Sequence, residues 1–117
     1  MISVILPAYN EQDNLAALHE RLAAAVSKIA QHPFEFIFVD DCSKDGTPGI
    51  LQRLREKDKR VKIIRLARNA GSHVAIAVGL NECKGDCAVV LAADLQDPPE
   101  LISRLVDEWK AGAKIVW

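Results

Sequence analysis

Short apolar runs alternate with segments of helical period along the whole of this chain, and that alternation admits few folds. Residues 2–6 form an apolar run closed by Pro7. Leu15, Leu18, Leu22, Val26 and Ile29 then recur at spacings of three and four, one face of a helix. Residues 34–39 read as a second strand, stopped by Asp40-Asp41. Asp45-Gly46 is a turn signal, and Thr47-Pro48 fits an N-cap with proline at the first helical position. Leu51 and Leu54 face inward on that helix. Residues 61–66 give a third strand. Residues 71–83 are largely apolar, which predicts a well-buried helix broken by Lys84-Gly85-Asp86. Residues 87–91 give a fourth strand. Asp97-Pro98-Pro99-Glu100 has the spacing of a capping box before a helix carried by Leu101, Ile102, Leu105, Val106 and Trp109. Residues 114–117 read as the opening of a fifth strand. The expected order is β-α-β-α-β-α-β-α-β, an α/β fold with a Rossmann-like, mostly parallel sheet and helices on both faces.

The composition narrows the function classes. A chain of 117 residues is long enough for one domain with one core. The net charge of −1 gives no global electrostatic reason to expect nucleic acid or an anionic membrane as partner. The longest unbroken apolar run, residues 87–93, is far short of a membrane span. The N-terminal run lacks the basic start and long apolar core of a signal peptide. Cys42, Cys83 and Cys87 match no zinc spacing and read as reduced thiols. An apolar strand that starts at Lys114 is expected to lead into more sheet, so the chain reads as the N-terminal portion of a longer protein.

Three loops leave strand ends with chemistry on them. Pro7-Ala8-Tyr9-Asn10-Glu11 has no glycine, so it is not the glycine-rich cradle of a dinucleotide fold. An aromatic ring beside a carboxylate suits a nucleoside, although Asn10 or Asp13 also fits as a cap of the first helix. Asp40 and Asp41 stand where open sheets present ligands and can accept hydrogen bonds from a base or a ribose. Asp45 reads as a turn residue only. The run from Val89 to Ala93 ends in Asp94-Leu95-Gln96-Asp97, whose oxygens suit a hard cation, Mg²⁺ or Mn²⁺. Asp97 serves first as a cap. Arg68, after the third strand, either faces phosphate or pairs with a carboxylate. His73 and Trp109 read as a polar residue at a helix start and as packing.

Taken together the loops resemble those of family 2 glycosyltransferases. The matching segments are residues 4–11, 38–47, 68–71 and 94–100, in family order and at family spacing. The run Asp94-Leu95-Gln96-Asp97-Pro98-Pro99-Glu100 is most similar to the dolichol-phosphate mannosyltransferase and bactoprenol glucosyltransferase branch. The resemblance implies a GT-A fold, with residues 1–117 as the N-terminal, nucleotide-sugar-binding part of a catalytic domain. It implies an inverting hexosyl transfer from a UDP- or GDP-sugar, with Mg²⁺ or Mn²⁺ on the diphosphate. It also implies a polyprenyl-phosphate acceptor and a cell-envelope role at the cytoplasmic face of the membrane, this portion itself being soluble. Pro7, Tyr9, Glu11, Val39 and Asp41 would line the nucleoside pocket, with Asn10, Asp40 and Arg68 counted among the nucleotide-binding residues. Ala93, Asp94 and Gln96 would lie beside the diphosphate and metal, with Asp94 and Gln96 as metal ligands and Asp94 also counted as catalytic. One position departs: Ala92 stands where the family's Asp-x-Asp metal motif has its first aspartate. That departure keeps a second reading open, a nucleotide-sugar-binding or regulatory module without turnover. A receiver-type signalling domain fits less well, because its paired acids would follow the first strand rather than the second.

Overall fold

The computed structural model describes residues 1–29, 31–94 and 98–112. The expected fifth strand at 114–117, and the roles expected of Gln96 and Asp97, lie outside these residues. The described chain runs β1 (Ile2–Ala8), α1 (Leu15–Ser27), β2 (Phe34–Asp40), α2 (Thr47–Lys57), β3 (Val61–Arg65), α3 (Ser72–Glu82) and β4 (Cys87–Val90). A 3₁₀ turn (Pro99–Leu101) then leads into α4 (Ile102–Lys110).

The four strands form one parallel sheet in the order β3-β2-β1-β4. β2 lies inside the sheet and all seven of its residues are buried, the signature of a strand covered on both faces. On one face Ile2, Val4, Leu6, Phe34, Phe36, Phe38, Val61 and Val89 meet the apolar stripes of α1, α2 and α4. Ile29 joins this core although α1 ends at Ser27. Trp109 packs against the same core and meets His32 edge to face at 5.9 Å. On the other face α3 lies across β1 and β2. Gly79 makes that approach possible, because a Cβ there would stand 2.5 Å from Ile5 Cγ2 and 3.3 Å from Val39 Cγ2.

The expectation that α3 is well buried needs correction. Only Ala75 and Gly79 are buried, while Val74 and Leu80 are 44% and 46% exposed. Apolar residues surround the helix, but among the described residues only the sheet packs on it. The neighbouring outward residue of β4, Val90, is also exposed at 40%.

The strand order positions the site. From β1 the chain moves outward through β2 to β3, with α1 and α2 on one face. It then returns through α3, on the opposite face, to place β4 on the far side of β1. Right-handed crossovers require that change of face when the direction reverses. The reversal lies at β1, and the crevice beyond its carboxyl end is where such sheets take ligands.

Candidate functional site

Each strand contributes a loop to the carboxyl edge. β1 delivers Pro7, Tyr9, Asn10 and Glu11. Tyr9 is 41% exposed, whereas Pro7 and Glu11 are half-buried. β2 delivers Val39, Asp40 and Asp41, all buried. The loop after β3 carries Arg68, which is exposed. β4 runs on through Leu91 to buried Ala93 and half-buried Asp94. Asp41 and Asp94 therefore leave the sheet on opposite sides of β1.

The loops after β1 and β2 are bonded into one unit. The Asn10 N–H donates to Ser43 Oγ (2.9 Å), and the Lys44 N–H donates to Asn10 Oδ1 (2.9 Å). The Glu11 N–H donates to Thr47 Oγ1 (2.9 Å). The Gly46 N–H donates to Gln12 Oε1 (2.8 Å), and the Gln12 N–H to Asp45 Oδ2 (3.3 Å). Asn10 and Cys42 both hold positive φ, 53° and 59°, so each loop makes a sharp reversal at a residue with a side chain. Backbone N–H groups that a loop would otherwise leave to water are thus satisfied by the opposite loop. Asn10 therefore serves the loop pair and does not cap α1. The N-cap position of α1 is Asn14, whose amide donates to Glu11 Oε2 (2.8 Å).

The N-cap of α2 is Gly46, one residue before the expected Thr47. Thr47 is the first helical residue, and its hydroxyl serves Glu11. Asp45 forms the turn that leads into the helix, with Oδ1 accepting the N–H of the first helical residue, Thr47, at 2.9 Å. Burial pushes the Asp45 carboxyl up, but the bonds from Thr47 and Gln12 outweigh it and hold the group below the usual carboxylate range.

The two adjacent acids face different surroundings. Asp41 reaches across to the loop before α3, where its oxygens accept the N–H groups of Ala70 (2.7 Å) and Gly71 (2.9 Å). Asp40 is 1% exposed. Its Oδ1 accepts the Ser43 N–H at 3.0 Å, and its Oδ2 faces the Arg65 guanidinium at 3.5 Å. Ser43, Thr47, Gln12 and Arg65 are the members of this edge that the sequence reading missed. For Arg65 a signal exists: two neighbouring parallel strands end in opposite charges.

Among the described residues no group of three or more His, Cys, Asp or Glu side chains gathers to hold a metal. Asp94 is a half-buried carboxylate beyond the end of β4. A single carboxylate fits Mg²⁺ when substrate phosphates and waters complete the shell, and does not fit an all-protein cage.

The family model for glycosyl transferase family 2 matches residues 3–117. An undecaprenyl-phosphate 4-deoxy-4-formamido-L-arabinose transferase of Pseudomonas fluorescens is 42% identical over 98% of this chain and 34% of its own length. The same-named transferase of Serratia proteamaculans is 44% identical over 98% of this chain and 35% of its own. This chain thus spans about a third of the curated relatives it matches. Among solved structures, S. aureus TarS in complex with UDP-GlcNAc superposes with a TM-score of 0.73 at 25% identity, over 94% of this chain and 31% of that one. The mannosyltransferase PcManGT of Pyrobaculum calidifontis, in complex with GDP-Man and Mn²⁺, reaches a TM-score of 0.79 at 23% identity, over 97% of this chain and 33% of that one. The four-stranded parallel sheet and its helices are those of a GT-A fold. With a match from the first strand to the last residue, the chain belongs to glycosyl transferase family 2.

Proposed function

We propose that this chain forms the donor-binding part of an inverting glycosyltransferase that moves a sugar from a UDP- or GDP-sugar to a polyprenyl phosphate at the cytoplasmic face of a membrane. The observation that carries the reading is the pair Asp41 and Asp94, on either side of β1 at the reversal of the strand order. The names of the relatives support the acceptor, and the ligands of the solved neighbours support both donor bases. No described helix is long and apolar enough to cross a membrane.

In this reading Tyr9 and Asp41 hold the nucleoside, with Pro7, Glu11 and Val39 as the walls of its pocket. Asp94 and Gln96 hold Mg²⁺ or Mn²⁺ against the diphosphate. A bound divalent cation supplies electrostatic stabilisation of the charge that develops on the leaving nucleoside diphosphate. The protein's own task is orientation. The bonded loop pair fixes Tyr9 and Asp41 before the donor arrives, so little ordering is left to the binding step. A phosphate acceptor is already anionic and asks for little general-base help.

Ala92 favours a second reading, a module that binds nucleotide-sugar without turnover, because the first carboxylate of the metal motif is missing. One assay separates the two. Transfer of labelled sugar from UDP- and GDP-sugars to undecaprenyl phosphate by the full-length protein is measured with Mn²⁺ and with EDTA. Metal-dependent transfer supports the enzyme. Nucleotide binding with no transfer to any lipid phosphate supports the module.

A further inference from the structure

We infer that Arg65 is a positioning residue for the nucleotide site, acting through the turn that presents Asp41. This inference rests on the functional reading above and adds to it a residue that touches no substrate.

The geometry begins with strand register. Asp40 and Arg65 are direct partners at the carboxyl ends of β2 and β3. Side chains opposite one another on adjacent strands share a face of the sheet. The Asp40 carboxylate is buried, and its Oδ2 has no hydrogen-bond partner among the described residues. A buried carboxylate oxygen left without a bond is costly and rare, and here Arg65 Nη1 supplies a countercharge at 3.5 Å. The same guanidinium donates through Nη2 to the Ser43 carbonyl at 3.2 Å. Arg65 thus grips the turn at both ends, Asp40 on one side and Ser43 on the other. Between them lie Asp41 and Cys42, and Cys42 holds a φ of 59°. A residue with a side chain stays in that region only where its surroundings hold it there.

Arginine is suited to the task because its planar fork reaches two acceptors from one strand end. Lysine keeps the charge but offers a single ammonium. Arg65 is half exposed, so the clamp lies at the rim rather than in the core. Its contribution is therefore expected in the geometry of Asp41 more than in global stability.

The test compares the wild-type chain with Arg65→Lys and with the double variant Asp40→Asn/Arg65→Met, which removes both charges and avoids stranding a buried one. Three quantities are read: UDP and GDP affinity with Mn²⁺ by calorimetry, the thermal midpoint, and amide exchange at Ala70 and Gly71, which report where the Asp41 carboxylate stands. We expect a five- to tenfold loss of nucleotide affinity in both variants. Exchange at Ala70 and Gly71 should accelerate while the amides of β1 and β2 keep their protection. Unchanged affinity in both variants overturns the inference, as does an acceleration spread evenly over all amides. If the wild-type chain binds neither nucleotide, the functional reading fails. The exchange comparison then still decides whether Arg65 sets the position of Asp41.

Discussion

Asp41 closes the start of α3 from a different strand, with one carboxylate oxygen on the Gly71 N–H at 2.9 Å and the other on Ala70. A negative charge thus stands near the positive end of the helix dipole, and the two N–H groups just before the helix are satisfied by a side chain that the proposed function assigns to the nucleoside. Two consequences follow. The Ala70 and Gly71 N–H groups are not free to take a donor diphosphate, since Asp41 already holds them. Asp41 also retains lone pairs beyond the two in use, and these are the ones a nucleoside N–H or hydroxyl would meet.

Asp41→Ala should therefore lose on two counts. Nucleotide binding should weaken by about 1.5–3 kcal/mol, the range for a hydrogen bond to a charged group. Folding stability should fall by about 0.5–2 kcal/mol, the range for a lost helix cap. Asp41→Asn keeps one acceptor oxygen and should lose less stability than the alanine variant. Calorimetry with UDP and GDP reads the first effect and thermal denaturation the second. A folded Asp41→Ala chain that binds both nucleotides as the wild type does removes Asp41 from the pocket.

Asp45 supplies the contrast. Its carboxylate accepts the Thr47 and Gln12 N–H groups, but it serves only the protein's own backbone. Asp45→Ala should cost stability at the level of a helix cap, about 0.5–2 kcal/mol, with a smaller effect on nucleotide affinity than Asp41→Ala. An affinity loss equal to that of Asp41→Ala would show that the bonded loop pair, rather than Asp41 itself, sets the affinity.

The strands were legible because each is a short apolar run with an abrupt end. In β2, Phe34 and the run from Phe36 to Val39 are apolar because both faces are covered, and the one acid among them, Glu35, is buried with Ser3, Lys62 and the Lys84 N–H as its partners. The loops showed which residue types they offer but not how they pair. Asn10 bonds to Ser43 and Lys44, and Glu11 to Thr47, across separations of 33 to 36 residues. Nothing in the local sequence records such a pairing, which exists only once β1 and β2 lie side by side. Asp40 and Asp41 look equivalent in sequence for the same reason. Strand alternation turns one toward Arg65 and the other toward α3. The exposure of α3 was hidden because apolarity says that a helix can be buried, while the number of layers around it decides whether it is.

Two glycines should respond to alanine in opposite directions. Gly79 sits where α3 meets β1 and β2, and a Cβ there would stand 2.5 Å from Ile5 Cγ2. The overpacking should outweigh the helix-propensity gain of about 1 kcal/mol, leaving Gly79→Ala destabilised by about 1–3 kcal/mol. Gly49 in α2 has nothing within 4 Å of its would-be Cβ, so Gly49→Ala should stabilise by about 0.5–1 kcal/mol. Urea unfolding of the two variants measures both, and the same sign for the two would show that α3 does not rest on the sheet at Gly79.

Acid sensitivity should centre on Asp58. Arg60 binds its carboxylate through Nε and Nη2, and His19 Nε2 lies 2.9 Å away. The Arg60 guanidinium in particular holds the Asp58 carboxyl well below its ordinary value of 3.8. The folded state therefore binds fewer protons than the unfolded one in the window below that value. Stability from this group is present above about pH 4 and is lost as the pH falls through the window. Asp58→Asn should lower stability at pH 7 and flatten the decline between pH 5 and 2. An unchanged acid slope in urea titrations of Asp58→Asn would assign the decline to other carboxylates, with Glu35 first among them. There burial pushes the carboxyl up, but the bonds from Lys62 and Ser3 bring it below the ordinary range.

In the proposed function Ala92 and Asp94 decide the metal chemistry. With Asp94 as the carboxylate beyond β4 among the described residues and alanine at position 92, cation binding should depend on the phosphates of the nucleotide. The free protein should hold Mn²⁺ weakly and the nucleotide-bound protein much more tightly. Ala92→Asp supplies the missing ligand and should tighten Mn²⁺ in both states. Part of that gain should be lost to repulsion between the new carboxylate and Asp94 in the metal-free state. Asp94→Asn removes the anionic ligand and should abolish most metal-dependent nucleotide binding. Electron paramagnetic resonance titration of Mn²⁺, with and without UDP, reads all three variants on one scale. An Asp94→Asn protein with an unchanged Mn²⁺ titration would place the cation elsewhere. Transfer would then depend on the nucleoside pocket around Asp41 and on ligands outside this loop.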